Sequence, residues 1–212
     1  MDAAEHQFEA SNTSGDAWAQ RAPRTVTTLM VGKLSCDGGE QLCRVRNISA
    51  SGMMIETPFP LRDGDRITVE LRGGPALEGS IVWTSDGRAG VHFTAPIDVE
   101  DVLATAKGSS PSARLRRAVP RAPRFLVTGP ARLVCNGVSS AVQIENISQS
   151  GARIRLPGQL DLDRVMTLVI PGLKPHSCTV RWSDAETAGV AFIDMIPYGE
   201  LAAWLSEVQP AR

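Results

Sequence analysis

Hydrophobic and polar positions alternate along several short stretches of the chain. In RITVEL, which starts at Arg66, every second residue is apolar, and GARIRL, which starts at Gly151, has a similar pattern. A period of two residues is typical of a strand with one buried face. Turn sequences rich in Gly, Asp and Asn separate these stretches, among them CDGGE, RDGD, SDG and CNG. The pattern predicts about six short strands in each half of the chain.

An internal repeat divides the chain into two copies. NISASGMMI begins at Asn47 and NISQSGARI begins at Asn146, 99 positions later. Each stretch follows an Arg-Ala-Pro-Arg segment, the first ending at Arg24 and the second at Arg124. Two copies of about 90–100 residues are too long for solenoid units and predict two domains of one fold.

The predicted fold class is all-β, with two six-stranded antiparallel barrels that each end in a short helix. Closing a sheet into a barrel removes its exposed edges. The helices correspond to IDVEDVLATAK and to YGELAAWLSEV, in which Leu201, Trp204 and Leu205 share one face. We expect Trp83 and Trp182, which occupy matched positions of the two copies, to fill the barrel cores or to cover their ends.

The expected domain organisation follows from the repeat and from local composition. Residues 1–17 are expected to be disordered, and 18–107 form the first barrel. Residues 108–116, which include GSSPSA, form the linker, and 117–212 form the second barrel.

Composition excludes several classes of function. The chain has 212 residues, 42% of them hydrophobic, and a net charge of −1, so it shows no bulk attraction to a nucleic-acid polymer or to a membrane. The four cysteines form no C-x-x-C pair and the three histidines have no ligand spacing, so we expect no metal or other cofactor. There is no apolar run of about 20 residues and no signal peptide, which indicates a cytoplasmic protein without a membrane span. No nucleophile–base set repeats between the copies, so we expect no enzyme.

Arginines are concentrated just before the first strand of each copy. Guanidinium groups bind phosphates through paired hydrogen bonds and stack on planar groups, and a solvated linker is the alternative interpretation. These arginines are Arg21 and Arg24 in the first copy, and Arg114, Arg116, Arg117, Arg121 and Arg124 in the second.

The repeated Asn-x-Ser-x-x-Gly stretch supplies a second set of candidate residues. An Asn amide both donates and accepts hydrogen bonds, a Ser adds a hydroxyl, and a Gly permits a positive φ or the close approach of a flat ligand. A tight turn between two strands is the alternative. The arginine segment lies 23 residues upstream in one copy and 22 in the other, which favours a joint site. The residues are Asn47, Ser49 and Gly52, and Asn146, Ser148 and Gly151.

This combination resembles the PilZ domain, a family of small β-barrels that bind the bacterial messenger cyclic di-GMP. The family pattern is Arg-x-x-x-Arg before the first strand, followed by Asp/Asn-x-Ser-x-x-Gly, and both copies match the second part. In the first part, if Arg24 and Arg124 fill the second arginine position, the first position holds Gln20 and Pro120. Arg117 and Arg121 have the Arg-x-x-x-Arg spacing but lie three residues too early.

The resemblance implies a non-enzymatic cyclic di-GMP receptor that changes its domain arrangement or partner binding when the ligand binds. The preferred site is in the second barrel and comprises Arg117, Arg121, Arg124, Asn146, Ser148 and Gly151. The first barrel binds through Arg21, Arg24, Asn47, Ser49 and Gly52, or is purely structural. The alternative is a degenerate PilZ-like module that no longer binds the nucleotide and docks a protein partner in motility, biofilm or secretion control.

Overall fold

A computed structural model describes residues 25–37, 39–106 and 122–209 of the chain. The predicted disordered segment 1–17 and the predicted linker 108–116 lie outside these ranges. Within them, the chain forms two closed barrels of six antiparallel strands, each followed by one helix. The predicted fold class is therefore confirmed.

The first barrel has the strand order β1-β2-β3-β6-β5-β4, and β4 pairs back with β1. Helix α1 (Val99–Ala106) follows the last strand. The strands are β1 (Thr25–Cys36), β2 (Gly39–Ser49), β3 (Gly52–Glu56), β4 (Arg66–Leu71), β5 (Ala76–Ser85) and β6 (Arg88–Phe93).

The second barrel repeats this order as β7-β8-β9-β12-β11-β10, closed by pairing of β10 with β7. Helix α2 (Tyr198–Val208) follows it, with Leu201, Trp204 and Leu205 buried as predicted. The strands are β7 (Phe125–Cys135), β8 (Val138–Ser148), β9 (Gly151–Arg155), β10 (Val165–Val169), β11 (His176–Ser183) and β12 (Thr187–Phe192).

Two of the predicted turns show why the sequence folds into hairpins at these points. Asp86 and Gly87 join β5 to β6 with φ of 47° and 71°, and Asn136 and Gly137 join β7 to β8 with φ of 49° and 78°. Two consecutive residues with positive φ match a type I′ turn, whose twist suits a two-residue hairpin. Asp-Gly and Asn-Gly tolerate this conformation, so these dipeptides set the strand pairing on either side.

Helix α2 packs against the outer face of β2, so the two barrels are in contact. Leu42, on the first barrel, is buried in the hydrophobic core cluster of the second. The Gln41 side-chain amide donates to the Ser206 hydroxyl at 2.8 Å. The Tyr198 hydroxyl lies 3.3 Å from the carbonyl oxygen of Glu56, to which it donates. The buried apolar contact and these hydrogen bonds link the start and end of α2 to the first barrel.

Candidate functional site

The repeated Asn-x-Ser-x-x-Gly stretch forms the hairpin between β2 and β3 and its counterpart between β8 and β9. Ser49 pairs with Gly52, and Ser148 pairs with Gly151, so two residues form each turn. The Ser49 hydroxyl donates to the Gly52 carbonyl oxygen at 3.0 Å, and the Ser148 hydroxyl to that of Gly151 at 3.1 Å. Each serine therefore closes its own hairpin.

The two motif glycines are required by strand packing. Neither adopts a positive φ. A Cβ at Gly52 would lie 2.2 Å from the Val91 carbonyl oxygen, and one at Gly151 would lie 2.2 Å from that of Val190. Real Cβ atoms do not approach backbone oxygens so closely, because the atoms would overlap. The positive-φ interpretation of these glycines is therefore wrong, and their role is to let the neighbouring strand pack close.

A β-bulge in each hairpin turns the motif asparagine outward. The strand register shifts between Val45 and Asn47 and between Ile144 and Asn146. With strict alternation, each asparagine would face inward like the buried residue two positions before it. A bulge inserts one extra residue and re-aims the next side chain, a common device beside binding sites.

A second β-bulge in each barrel, on β5 and on β11, turns a tryptophan outward. The register shifts between Ile81 and Trp83 and between Val180 and Trp182. Both tryptophan residues are 38% exposed and lie on the outer surface of their barrels. The prediction that they fill the cores or cover the barrel ends is wrong, because the bulge reverses the side-chain direction that alternation implies.

The two bulges place the asparagine and the tryptophan at the ends of one outward-facing row. In the first barrel the row runs across β2, β3, β6 and β5, through Asn47, Met54, Gly90 and Trp83. In the second barrel the matched row runs through Asn146, Arg153, Gly189 and Trp182. We call these the first and second outer rows.

The glycine in each row makes room for the indole. A Cβ at Gly90 would lie 2.0 Å from Trp83 Nε1, and a Cβ at Gly189 would lie 2.0 Å from Trp182 Nε1. Each ring therefore lies flat across its neighbouring strand. In the first barrel, the row and the hairpin line a cleft of about 210 Å³ that includes Asn47, Ser49, Met54 and Trp83. This is below the roughly 300 Å³ of a typical small-molecule pocket and matches a single planar group better than a dinucleotide.

In the second barrel, one predicted arginine contacts the predicted hairpin. Arg124 Nη1 donates to Asn146 Oδ1 at 2.5 Å. Arg124 immediately precedes β7, which pairs with β8, and this pairing brings residues 22 positions apart into contact. A hydrogen bond with a charged donor is shorter and stronger than a neutral one. The arginine segment and the hairpin therefore meet at Asn146.

Arg153 is a further basic residue at this site that the sequence did not single out. It pairs with Asn146 on β8, and its guanidinium carbon lies 5.6 Å from the centroid of the Trp182 ring. Its Nε lies 2.8 Å from Glu145 Oε2, and its side chain is 44% exposed. Alignment of the copies pairs Arg153 with Met54, so a charge difference was visible in the sequence, but its position beside Asn146 depends on the strand register.

The remaining predicted site residues, Arg21, Arg24, Arg117 and Arg121, lie outside the part of the chain that the structure describes. Within residues 25–37, 39–106 and 122–209, no group of three or more His, Cys, Asp and Glu side chains could hold a metal ion. None of the helices in the same ranges is long and apolar enough to span a bilayer.

Comparison with known structures gives matches at low sequence identity. PlzA of Borreliella burgdorferi, solved in complex with c-di-GMP, is 12% identical with a TM-score of 0.38, covering 86% of this chain and 94% of that one. The Bacillus subtilis inhibitor of motility MotI/DgrA is 11% identical with a TM-score of 0.35, at 85% and 97% coverage. YcgR of Escherichia coli, also solved with c-di-GMP, is 11% identical with a TM-score of 0.32, at 84% and 83% coverage. Similarities this low carry no argument about the ligand of this chain.

Comparison with curated protein sequences finds no significant match. Comparison with family models gives two matches to the same model, described as the PilZ domain, over residues 19–106 and 116–206. The two matches together span most of the chain, and each contains one barrel with its Asn-x-Ser-x-x-Gly hairpin. The chain therefore belongs to the PilZ domain family and carries two copies of the domain.

Proposed function

We propose that the protein is a cytoplasmic, non-enzymatic cyclic di-GMP receptor and that the second barrel holds the main binding site. The observation that carries this proposal is the hydrogen bond from Arg124 to Asn146, which joins the arginine segment to the hairpin. The site then comprises Arg117, Arg121, Arg124, Asn146, Ser148 and Gly151, within a domain spanning 117–212. A domain spanning 18–107 contains the matched residues of the first barrel.

The chemistry of these residues suits a dinucleotide with two phosphates and two guanines. Arginine binds phosphate oxygens in pairs, and it binds the O6 and N7 edge of guanine in the same bidentate manner. Asn146 offers both a donor and an acceptor to a base edge. Because Arg124 is already hydrogen bonded to Asn146, less conformational freedom is lost when a ligand binds there.

We further propose that ligand binding alters the contact between the barrels. The turn of the second hairpin is tied to the segment before α2, because Ile196 N donates to the Gln149 carbonyl oxygen at 2.9 Å. The Gln149 side-chain amide donates back to the Ile196 carbonyl oxygen at 3.0 Å. Tyr198, two residues further on, contacts the first barrel. A ligand that moves this turn would therefore act on the barrel interface, provided it binds the two arrangements with different affinity.

Calorimetry with cyclic di-GMP tests the receptor proposal. We expect low-micromolar binding by the full chain and its loss in an Arg121→Ala and Arg124→Ala double variant. If a folded sample gave no heat of binding at high concentrations of cyclic di-GMP, the receptor proposal would be overturned. Small-angle scattering with and without ligand tests the rearrangement separately. An unchanged scattering profile under saturating ligand would be compatible with the receptor proposal but would contradict the proposed effect of the ligand on the barrel interface.

A second candidate function, docking of a protein without nucleotide binding, is favoured for the first barrel by one observation. Strand β2 already packs against α2 of the same chain, since Leu42 is buried in the core cluster of the second barrel and Gln41 donates to Ser206. In this alternative, the chain is a degenerate module that docks a partner in motility, biofilm or secretion control. Calorimetry separates the two, since this alternative predicts no heat with cyclic di-GMP.

A further inference from the structure

The two outer rows differ at one position of four. Asn47, Gly90 and Trp83 correspond to Asn146, Gly189 and Trp182, so three residue types are the same in both barrels. The fourth position holds Met54 in the first barrel and Arg153 in the second. The two barrels therefore have the same fold and differ at this position by a neutral thioether in one and a guanidinium in the other.

In the second outer row, Arg153 lies between Asn146 on one side and Gly189 with the Trp182 ring on the other. On β8 it pairs with Asn146, which receives the Arg124 hydrogen bond, and on β12 it pairs with Gly189, across which the Trp182 ring lies. Asn146 thus accepts a hydrogen bond from the Arg124 guanidinium and has Arg153 as its strand partner on β9. The register of the strands fixes this arrangement, since both pairings belong to antiparallel ladders and the pairing with Asn146 directly follows the bulge in β8.

The partners of Arg153 hold its guanidinium in place and leave donors for a ligand. Its Nε lies 2.8 Å from Glu145 Oε2, and its guanidinium carbon lies 5.6 Å from the Trp182 ring centroid. A guanidinium has five N–H donors, and the ion pair with Glu145 is made at Nε, so terminal donors are available to an anionic group. A cation within about 6 Å of an aromatic ring centroid is attracted to the face of the ring.

We propose that Arg153 binds a phosphate of the nucleotide and that this position makes the second barrel the tighter of the two sites. The proposal rests on the proposed function of the second barrel. In the first barrel, Met54 offers no hydrogen-bond donor and no charge. The first cleft therefore accepts a planar group between Met54 and Trp83 without a cation for the adjoining phosphate.

Calorimetry with cyclic di-GMP tests the role of Arg153. We expect Arg153→Met to weaken binding by about ten- to a hundredfold, the loss of one charge-assisted hydrogen-bonded contact. Arg153→Lys should recover part of this loss, and the affinity of Arg153→Met should depend less on salt than that of the parent chain. A purely structural arginine would change unfolding stability and leave the salt dependence of binding unaltered.

Arg164→Met is the matched control. It removes the same charge, but Arg164 contacts Cys135, at the opposite end of β7 from Arg124. We expect its affinity to stay within about twofold of the parent chain, since surface charges this far apart are screened. Equal affinity of Arg153→Met and the parent chain would overturn the proposal while leaving the receptor function intact. No binding by the parent chain would instead overturn the receptor function and this proposal together.

The reciprocal change tests whether this position distinguishes the barrels. In a chain whose second site is disabled by Asn146→Ala, Met54→Arg introduces a guanidinium between Asn47 and Gly90, beside Trp83. We expect cyclic di-GMP affinity of the first barrel to rise at least about tenfold over the Asn146→Ala chain, by gain of the same contact. If the variant had an unchanged circular dichroism spectrum and its affinity for cyclic di-GMP did not rise, the assignment of selectivity to this position would be contradicted.

Discussion

The guanidinium carbon of Arg44 lies 3.9 Å from the centroid of the Tyr198 ring, and this contact joins the first barrel to the helix of the second. The Tyr198 hydroxyl, which has one hydrogen to donate, lies 3.3 Å from the carbonyl oxygen of Glu56 and 3.5 Å from that of Leu42. A cation over an aromatic face contributes about 0.5–1 kcal/mol at partly exposed sites. Tyr198 therefore reports on the state of the barrel interface.

Tyr198 is the single tyrosine of the chain, so its ionisation can be followed by phenolate absorbance. Burial, with smaller contributions from Cys43 and Glu56, raises the pKa of Tyr198 to about 12 from a usual value of 10. The folded state thus keeps the proton between pH 10 and 12, where the unfolded state releases it. We predict an absorbance midpoint near pH 12 and a stability that falls across this window. A native midpoint near pH 10 would contradict the buried interface.

The motif glycine gives a prediction about stability rather than binding. Gly151→Ala places a Cβ 2.2 Å from the Val190 carbonyl oxygen and should force β9 and β12 apart. We expect a loss of about 1–3 kcal/mol in the free energy of unfolding, typical of overpacking. Gly129→Ala is the control, because a Cβ there meets nothing within 4 Å. Equal stability of the two variants in chemical denaturation would contradict the packing role of Gly151.

One ion pair occurs in both barrels with its charges exchanged. In the first, Arg46 Nε donates to Glu56 Oε2 at 2.6 Å, and in the second, Arg155 Nε donates to Glu145 Oε1 at 2.9 Å. Arg46 and Glu145 are matched bulge residues, so the pair persists while its polarity reverses. Because the ion pair is kept although its charges are exchanged, we infer that it stabilises the strand pairing next to the motif asparagine.

A double-mutant cycle tests this role. Arg46→Glu alone brings two carboxylates together, whereas Arg46→Glu with Glu56→Arg reproduces the polarity of the second barrel. Because the pair is partly exposed, we predict a coupling energy of about 0.5–1 kcal/mol from thermal or chemical unfolding. If the double variant were as unstable as the sum of the two single variants, the exchanged pair would have no stabilising role.

The sequence predicted the fold because local signals agreed with one another. The period-two pattern, the Asp-Gly and Asn-Gly turns and the apolar face of α2 each depend on near neighbours. The 99-residue repeat then required both halves to have one fold. The contact of Arg124 with the second hairpin was expected from sequence, since a similar spacing of 22 or 23 residues between the two motifs in both copies favoured a joint site.

Other features depended on strand register, which the pattern alone does not provide. The outward direction of Trp83 and Trp182 follows from a bulge that alternation cannot reveal. The position of Arg153 beside Asn146 requires the pairing of β8 with β9, and the contact of Arg44 with Tyr198 requires the packing of two barrels. Alignment of the two copies shows the exchange of charges, but only the structure shows that the two residues form an ion pair.

The central claim is that the second barrel, rather than the first, is the main cyclic di-GMP site. The most direct measurement makes the same substitution in each copy and compares cyclic di-GMP binding by calorimetry. Asn146→Ala removes the partner of Arg124, and we predict that it abolishes the main binding event, whereas Asn47→Ala leaves it unchanged. Loss of binding in Asn47→Ala with retention in Asn146→Ala, or equal binding in both, would contradict this account.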